Sequence, residues 1–200
     1  MDIEFLVDKI KIKNKELLNL DKFVIDFTSI LNKDNIEYVI VSGYISILFG
    51  RNRQSEDIDI IINKMDFKRF EKFWSKIDNK YECIITSNKK NAYEDYLLEH
   101  TAIRFAKKDT YIPNIEFKFP KLEVDQWTLK ERKKVMINNH IMYISPLEIQ
   151  IPYKLFLGSE KDIEDAKFLY NLFKKNMDLE LFYEFNNKFK TQELFDRYIK

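Results

Sequence analysis

The sequence predicts an α+β fold: a mixed-sheet core flanked by helices over residues 1–144, with a helical carboxy-terminal subdomain over residues 145–200. Three observations carry this. Short β-branched runs alternate with segments of helical period up to about residue 144. From Ser145 onward the pattern is helical. The 200 residues, with only three glycines and four prolines, hold enough apolar material for one substantial core and no evident flexible linker.

The elements follow in order. After a lysine-punctuated start, Phe23, Phe27, Ile30 and Leu31 fall at helical spacing, and the helix stops at "KDN". "IEYVIVSG" is a β-branched run ending at Gly43, and "YISILFG" is a short apolar helix closed by Gly50. "EDIDIII" is the next strand. "KMDFKRFEKFWSKI" then sets Phe67, Phe70, Phe73, Trp74 and Ile77 on one helical stripe, with Asp66 as the N-cap. Strands are expected at "YECIIT", "TAIRFA" and "NIEFKF", and "KKVMINNHIMYI" reads as a hairpin turning at Asn138 and Asn139. Ser145, Pro146 and Glu148 form an S-P-x-E helix start with a capping box, Pro152 is expected to kink or restart that helix, and Gly158 followed by Ser159 separates it from the next.

Composition excludes several classes. The net charge of +1 gives no overall basic field for nucleic acid and no acidic excess for disorder. The single cysteine, Cys83, rules out an internal disulfide or a cysteine-rich zinc site, and in "YECII" it reads as a small buried hydrophobe. No apolar run approaches the ~18 residues of a membrane span, and the first residues do not resemble a secretion signal, so a cytoplasmic protein without a membrane is expected. His100 and His140 lack ligand spacing, Trp74 and Trp127 read as core, and the lysine-rich stretches 88–90 and 130–134 read as solvated faces.

One feature is costly unless it has a purpose: two aspartates at alternate positions of an isoleucine strand. Residues i and i+2 of a strand share a face, so Asp57 and Asp59 project together while Ile58, Ile60 and Ile62 project to the other side. Paired carboxylates repel, and a hard divalent cation such as magnesium relieves the repulsion. A bare D-x-D pair also fits two solvated aspartates on an exposed strand. Upstream, Ser42, Gly43 and Tyr44 form a strand-turn-helix in which glycine allows close approach of backbone to a ligand, and Arg51 and Arg53 lie between that helix and the aspartates. In "NIEFKF" the same alternation puts Glu116 and Lys118 on one face, whereas Glu123 and Asp125 lie beyond Pro120, which ends the strand.

Residues 36 to 64, with "VSG", a short helix and "FGRNRQSEDIDIII", resemble the signature of the nucleotidyltransferase superfamily with the DNA polymerase beta fold. The resemblance implies that Asp57 and Asp59 bind two Mg²⁺ ions, with Mn²⁺ as an alternative, and that Gly43 with Ser42 cradles a nucleoside triphosphate. It also implies a third carboxylate on a later strand, for which alternation selects Glu116 as catalytic residue and metal ligand. Arg53 is a candidate phosphate contact beside it. The "ISPLEIQIPYKLFLGSEKDIEDAKFL" segment resembles the helical region after the core in single-domain relatives, which makes Lys154 a further nucleotide-binding candidate and leaves Lys161, Asp162 and Asp165 to organise a helix start. Two positions depart from the family's pattern: glutamate at 116 where aspartate is commoner, and Tyr44 where serine or glycine is usual, its ring expected to narrow phosphate access. The implied reaction is transfer of a nucleoside monophosphate to an acceptor hydroxyl on a small molecule, a tRNA or a protein. The alternative is a catalytically weak or inactive binding module, such as an antitoxin acting through a protein partner.

Overall fold

In a computed structural model, which describes residues 1–6 and 8–200, the chain forms one nine-stranded mixed sheet with helices packed against it. The strands are β1 (Asp2–Phe5), β2 (Ile10–Lys13), β3 (Tyr38–Val41), β4 (Asp57–Ile62), β5 (Tyr81–Cys83), β6 (Ile103–Lys107), β7 (Asn114–Lys118), β8 (Lys133–Ile137) and β9 (His140–Ile144). Their order across the sheet is β1-β2-β8-β9-β3-β4-β7-β6-β5. Three neighbouring pairs are parallel, β2 with β8, β3 with β9 and β4 with β7, and the others are antiparallel.

The helices of the first two thirds are α1 (Asn19–Lys33), α2 (Gly43–Leu48), α3 (Phe67–Ile77), a short helical segment α4 over residues 89–97, and α5 (Glu123–Lys130). They are followed by α6 (Leu147–Leu157), α7 (Glu160–Phe173), α8 (Leu179–Phe189) and α9 (Gln192–Tyr198). None of the described helices is long and apolar enough to cross a membrane.

Strand alternation builds the core. Ile58, Ile60 and Ile62 of β4 are fully buried, as are Ile115 and Phe117 of β7. Phe27 of α1, Phe73 of α3, Phe105 of β6 and Phe117 interlock there, with Phe73 and Phe117 stacked at 5.4 Å between ring centroids. Leu155 of α6, Ala166 of α7 and Phe182 of α8 belong to the same hydrophobic cluster. The expected N-cap is present, since Asp66 accepts from the Arg69 amide at 2.8 Å. The Asn138–Asn139 hairpin turn is also present, with Asn138 at φ 50°.

Several local expectations are corrected. The lysine-punctuated start, to which the sequence reading gave no element, contains two strands; in β2, between the edge strand β1 and β8, Ile10 and Ile12 alternate with Lys11 and Lys13. Residues 123–130, which the sequence reading left without an element beyond the strand ended by Pro120, form α5; the Asp125 carboxylate accepts from the Lys121 and Leu122 amides at 2.9 Å each and starts the helix. The helix after β9 begins at Leu147 with Pro146 as its cap, one residue later than the S-P-x-E pattern implies. The Ser145 hydroxyl bonds the Pro146 carbonyl, and Glu148 accepts from the Asp178 amide instead of closing a capping box. Pro152 sits inside an unbroken α6, where burial of Leu147, Ile149, Ile151 and Leu155 outweighs one missing backbone bond. Cys83 is half-buried, because β5 is an edge strand.

Candidate active site

The site lies on the face of the sheet opposite Ile58, Ile60 and Ile62 of β4. In the register, Val41 pairs with Asp59, so the turn at Ser42 and Gly43 is set beside the aspartate strand. Asp59 pairs with Glu116 across the parallel β4–β7 contact, and Glu116 pairs in turn with Arg104 on β6. Alternation therefore puts Asp57, Asp59, Glu116 and Lys118 on one surface. Behind it, Leu129 of α5 packs on Val39 and Ile61 and closes the apolar part of that face.

The Lys118 ammonium bridges the two adjacent carboxylates, with Nζ 3.2 Å from Asp59 Oδ1 and 3.2 Å from Glu116 Oε1. The other oxygen of Glu116 accepts from Arg104 Nη2 at 3.0 Å. Burial raises the proton affinity of Asp59 above the usual aspartate range; Lys118 works against this, while Glu116 and Asp57 add to it. Glu116 moves the other way, since Lys118 and Arg104 outweigh the effect of its burial and hold the carboxyl below its ordinary value. For Lys118, the two carboxylates outweigh burial and raise its pKa. Two aspartates on one strand face are hard oxygen donors of the kind magnesium takes, and that pair fits such an ion. Among the described residues, however, no three of His, Cys, Asp and Glu gather into a metal-holding group, and His100 and His140 are exposed.

The glycine turn is built with strain and a clamp. Ser42 adopts φ 65° and ψ −142°, a conformation that side-chain-bearing residues avoid. It is fixed by Gln150 of α6, which donates from Nε2 to the Ser42 carbonyl at 3.0 Å and accepts from the Ser42 amide at 3.3 Å. A Cβ added at Gly43 would stand 3.0 Å from the Arg53 guanidinium, so a side chain there would have to push that group aside. Tyr44 does not narrow the site. Its ring is fully buried and its hydroxyl donates to Asp21 Oδ1 at 2.8 Å, a carboxylate that also takes the Lys15 ammonium at 2.9 Å. Helical geometry turns this side chain into the core, away from the Ser42–Gly43 turn.

Arg53 and Arg51 both bond the carboxylate of Asp165 on α7, and Lys154 Nζ lies 2.7 Å from the same group. Lys154 also reaches Asp162 Oδ1 at 3.0 Å. Lys154 is 1% exposed and Asp165 is fully buried, so α6 and α7 hold the two arginines from behind, with Arg53 beside Gly43. Asp165 thus does more than organise a helix start, whereas Ser159 and Asp162 do cap α7. Lys118, Arg104 and Gln150 are the members that sequence reasoning left without a role, and Asp165 is one it assigned only to a helix start. A cavity of about 220 Å³ opens on Ser42, Asp59 and Lys118 and is walled by Val124, Thr128 and Tyr153.

The fold has solved counterparts. An antigenic nucleotidyltransferase-like protein from Paracoccidioides brasiliensis superposes with a TM-score of 0.55 at 18% identity, covering 89% of this chain and 90% of that one. The fold is nucleotidyltransferase-like. The antibiotic-resistance factor ANT(2'')-Ia superposes with a TM-score of 0.56 at 10% identity, covering 90% of this chain and 97% of that one. No protein-family model matches the chain, and no curated protein matches it in sequence.

Proposed function

We propose that the chain is a nucleotidyltransferase that moves a nucleoside monophosphate from a nucleoside triphosphate to an acceptor hydroxyl, with release of pyrophosphate. The observation that supports this reading best is the register that sets the Asp57/Asp59 face directly beside the Ser42–Gly43 turn and Arg53. Carboxylates for a divalent cation and cations for phosphates are then neighbours on one surface, as phosphoryl chemistry requires.

In this reading Asp57 and Asp59 hold Mg²⁺ or Mn²⁺, which when bound polarises the α-phosphate and favours the ionised acceptor hydroxyl. The side-chain-free Gly43 lets the phosphates approach the backbone, and Arg53 with Arg51 takes up their charge. Lys154 contributes from behind, through the carboxylate that aims both arginines. The acceptor oxygen forms its bond to the α-phosphorus as the bond to the β-phosphate oxygen breaks, and the charge leaves with pyrophosphate. Glu116, held ionised by Lys118 and Arg104, orients the acceptor hydroxyl from the adjoining strand. The acceptor is a small molecule, a tRNA or a protein.

A second reading, a binding module without catalysis such as an antitoxin, is favoured by the two cations that already neutralise Glu116. Titration of ATP, GTP, CTP and UTP into wild type and the Asp57→Asn/Asp59→Asn variant, with and without magnesium, separates the possibilities. The proposal expects binding that needs both the metal and the aspartates, in a variant that still folds. Absence of nucleotide binding to wild type removes the transferase reading, and unfolding of the variant would assign the aspartates a structural role.

A further inference from the structure

We propose that the Lys118 ammonium is a built-in cation standing between Asp59 and Glu116, so that this site takes a single divalent ion on Asp57 and Asp59 instead of two. The inference rests on the nucleotidyl-transfer reading for what the ion does, and on geometry for how many ions there are.

The geometry follows from the backbone register. Asp59 and Glu116 are direct neighbours across β4 and β7, and Lys118, two residues beyond Glu116, necessarily shares their face. Its Nζ is equidistant from the two carboxylates at 3.2 Å, so an ammonium already occupies the space between them. Arg104, opposite Glu116 on β6, takes the remaining Glu116 oxygen at 3.0 Å. Both oxygens of Glu116 are thus answered by protein cations. Asp57 differs: its partner across the sheet is the neutral Asn114, and among the described residues it makes no ion pair.

Charge points the same way. Three carboxylates, Asp57, Asp59 and Glu116, face two permanent cations, Lys118 and Arg104, leaving one net negative charge. That residual charge suits one divalent ion whose remaining charge is met by substrate phosphates. A second ion next to an ammonium would be repelled through the partly desolvated space between them. Lys118 also lines the cavity that opens on Ser42 and Asp59, so a ligand seated there meets this ammonium as well as the metal.

The test counts bound Mn²⁺ by electron paramagnetic resonance and equilibrium dialysis, with Mn²⁺ as the only probe and no nucleotide present. Wild type is expected to bind one ion per chain, and Asp57→Asn/Asp59→Asn to bind none. Lys118→Met, which uncovers Asp59 and Glu116, should acquire a second ion or bind the first on the order of tenfold more tightly. Glu116→Gln should keep the single ion, because Glu116 is not its ligand. Two ions in wild type, loss of the ion in Glu116→Gln, or a Lys118→Met variant indistinguishable from wild type would each overturn the proposal, as would no Mn²⁺ on any of the proteins. The two readings fail separately: magnesium-dependent nucleotide binding with two Mn²⁺ ions removes only the Lys118 inference, while a single Mn²⁺ ion without nucleotide binding removes only the transferase.

Discussion

Replacing Asp165 by alanine removes the carboxylate on which Arg51, Arg53 and Lys154 converge. Asp165 is fully buried and Lys154 is 1% exposed, so the variant leaves an ammonium out of water with half its compensation gone. Breaking a buried ion pair from one side costs about 3–5 kcal/mol. Two features pull the value toward the lower end of that range: Asp162 still meets Lys154 at 3.0 Å, and the arginine side chains, 20% and 17% exposed, regain some hydration. In a domain of this length each kcal/mol lowers the melting temperature by roughly 2–4 °C, so the expected fall is on the order of 10 °C. Urea denaturation with an unchanged slope, together with calorimetry, measures it. The acid limb gives an independent check. Burial alone would raise the Asp165 pKa, but Lys154 and then the arginines outweigh it and hold the carboxyl below the ordinary aspartate value. Its stabilisation is therefore complete above the unfolded-state value and is lost as pH falls through the lowered folded-state one, so the variant should show a flatter acid limb than wild type. A loss below about 1 kcal/mol with an unchanged acid limb, the behaviour of a solvated surface pair, would refute the reasoning.

Two further substitutions probe the phosphate turn. Tyr44→Phe should cost about 1–2 kcal/mol through the lost bond to Asp21, with nucleotide affinity unchanged; lowered affinity at unchanged stability would put the hydroxyl in the site instead of the core. Gln150→Leu releases the strained Ser42 backbone and should weaken nucleotide binding while costing about 1–3 kcal/mol in denaturant titrations; wild-type affinity in a correctly folded variant would show that the turn needs no clamp.

What could be read from the sequence was whatever a local period encodes. The β4 alternation separates Asp57 and Asp59 from three buried isoleucines without any knowledge of the neighbours, and Asp66 announces α3 by capping it. The same alternation put Glu116 and Lys118 on one face, yet the bridging role of Lys118 depended on the β4–β7 register, which no local pattern specifies. Tyr44 was misread for a related reason: beside a phosphate turn a tyrosine looks obstructive, and only the orientation of α2 shows that it points at Asp21 in the core. The partnerships of Arg51 and Arg53 with Asp165, and of Gln150 with Ser42, join residues more than a hundred positions apart. Helix α5 was hidden because its exposed first turn and weak apolar stripe look like a charged loop.

The position of β3 in the sheet has a consequence for biosynthesis. Its four residues, Tyr-Val-Ile-Val, are flanked by β4, which follows within the next hairpin-like segment, and by β9, which is translated about a hundred residues later. Until residue 144 has left the ribosome, one row of backbone donors and acceptors on this apolar strand has no native neighbour, and β2 waits in the same way for β8. Such an open edge pairs readily with any other extended chain. The nascent chain thus carries this open edge over most of its length, and mutations that slow the closing of β8 and β9 onto the sheet should reduce soluble yield even where the finished molecule is as stable as the original.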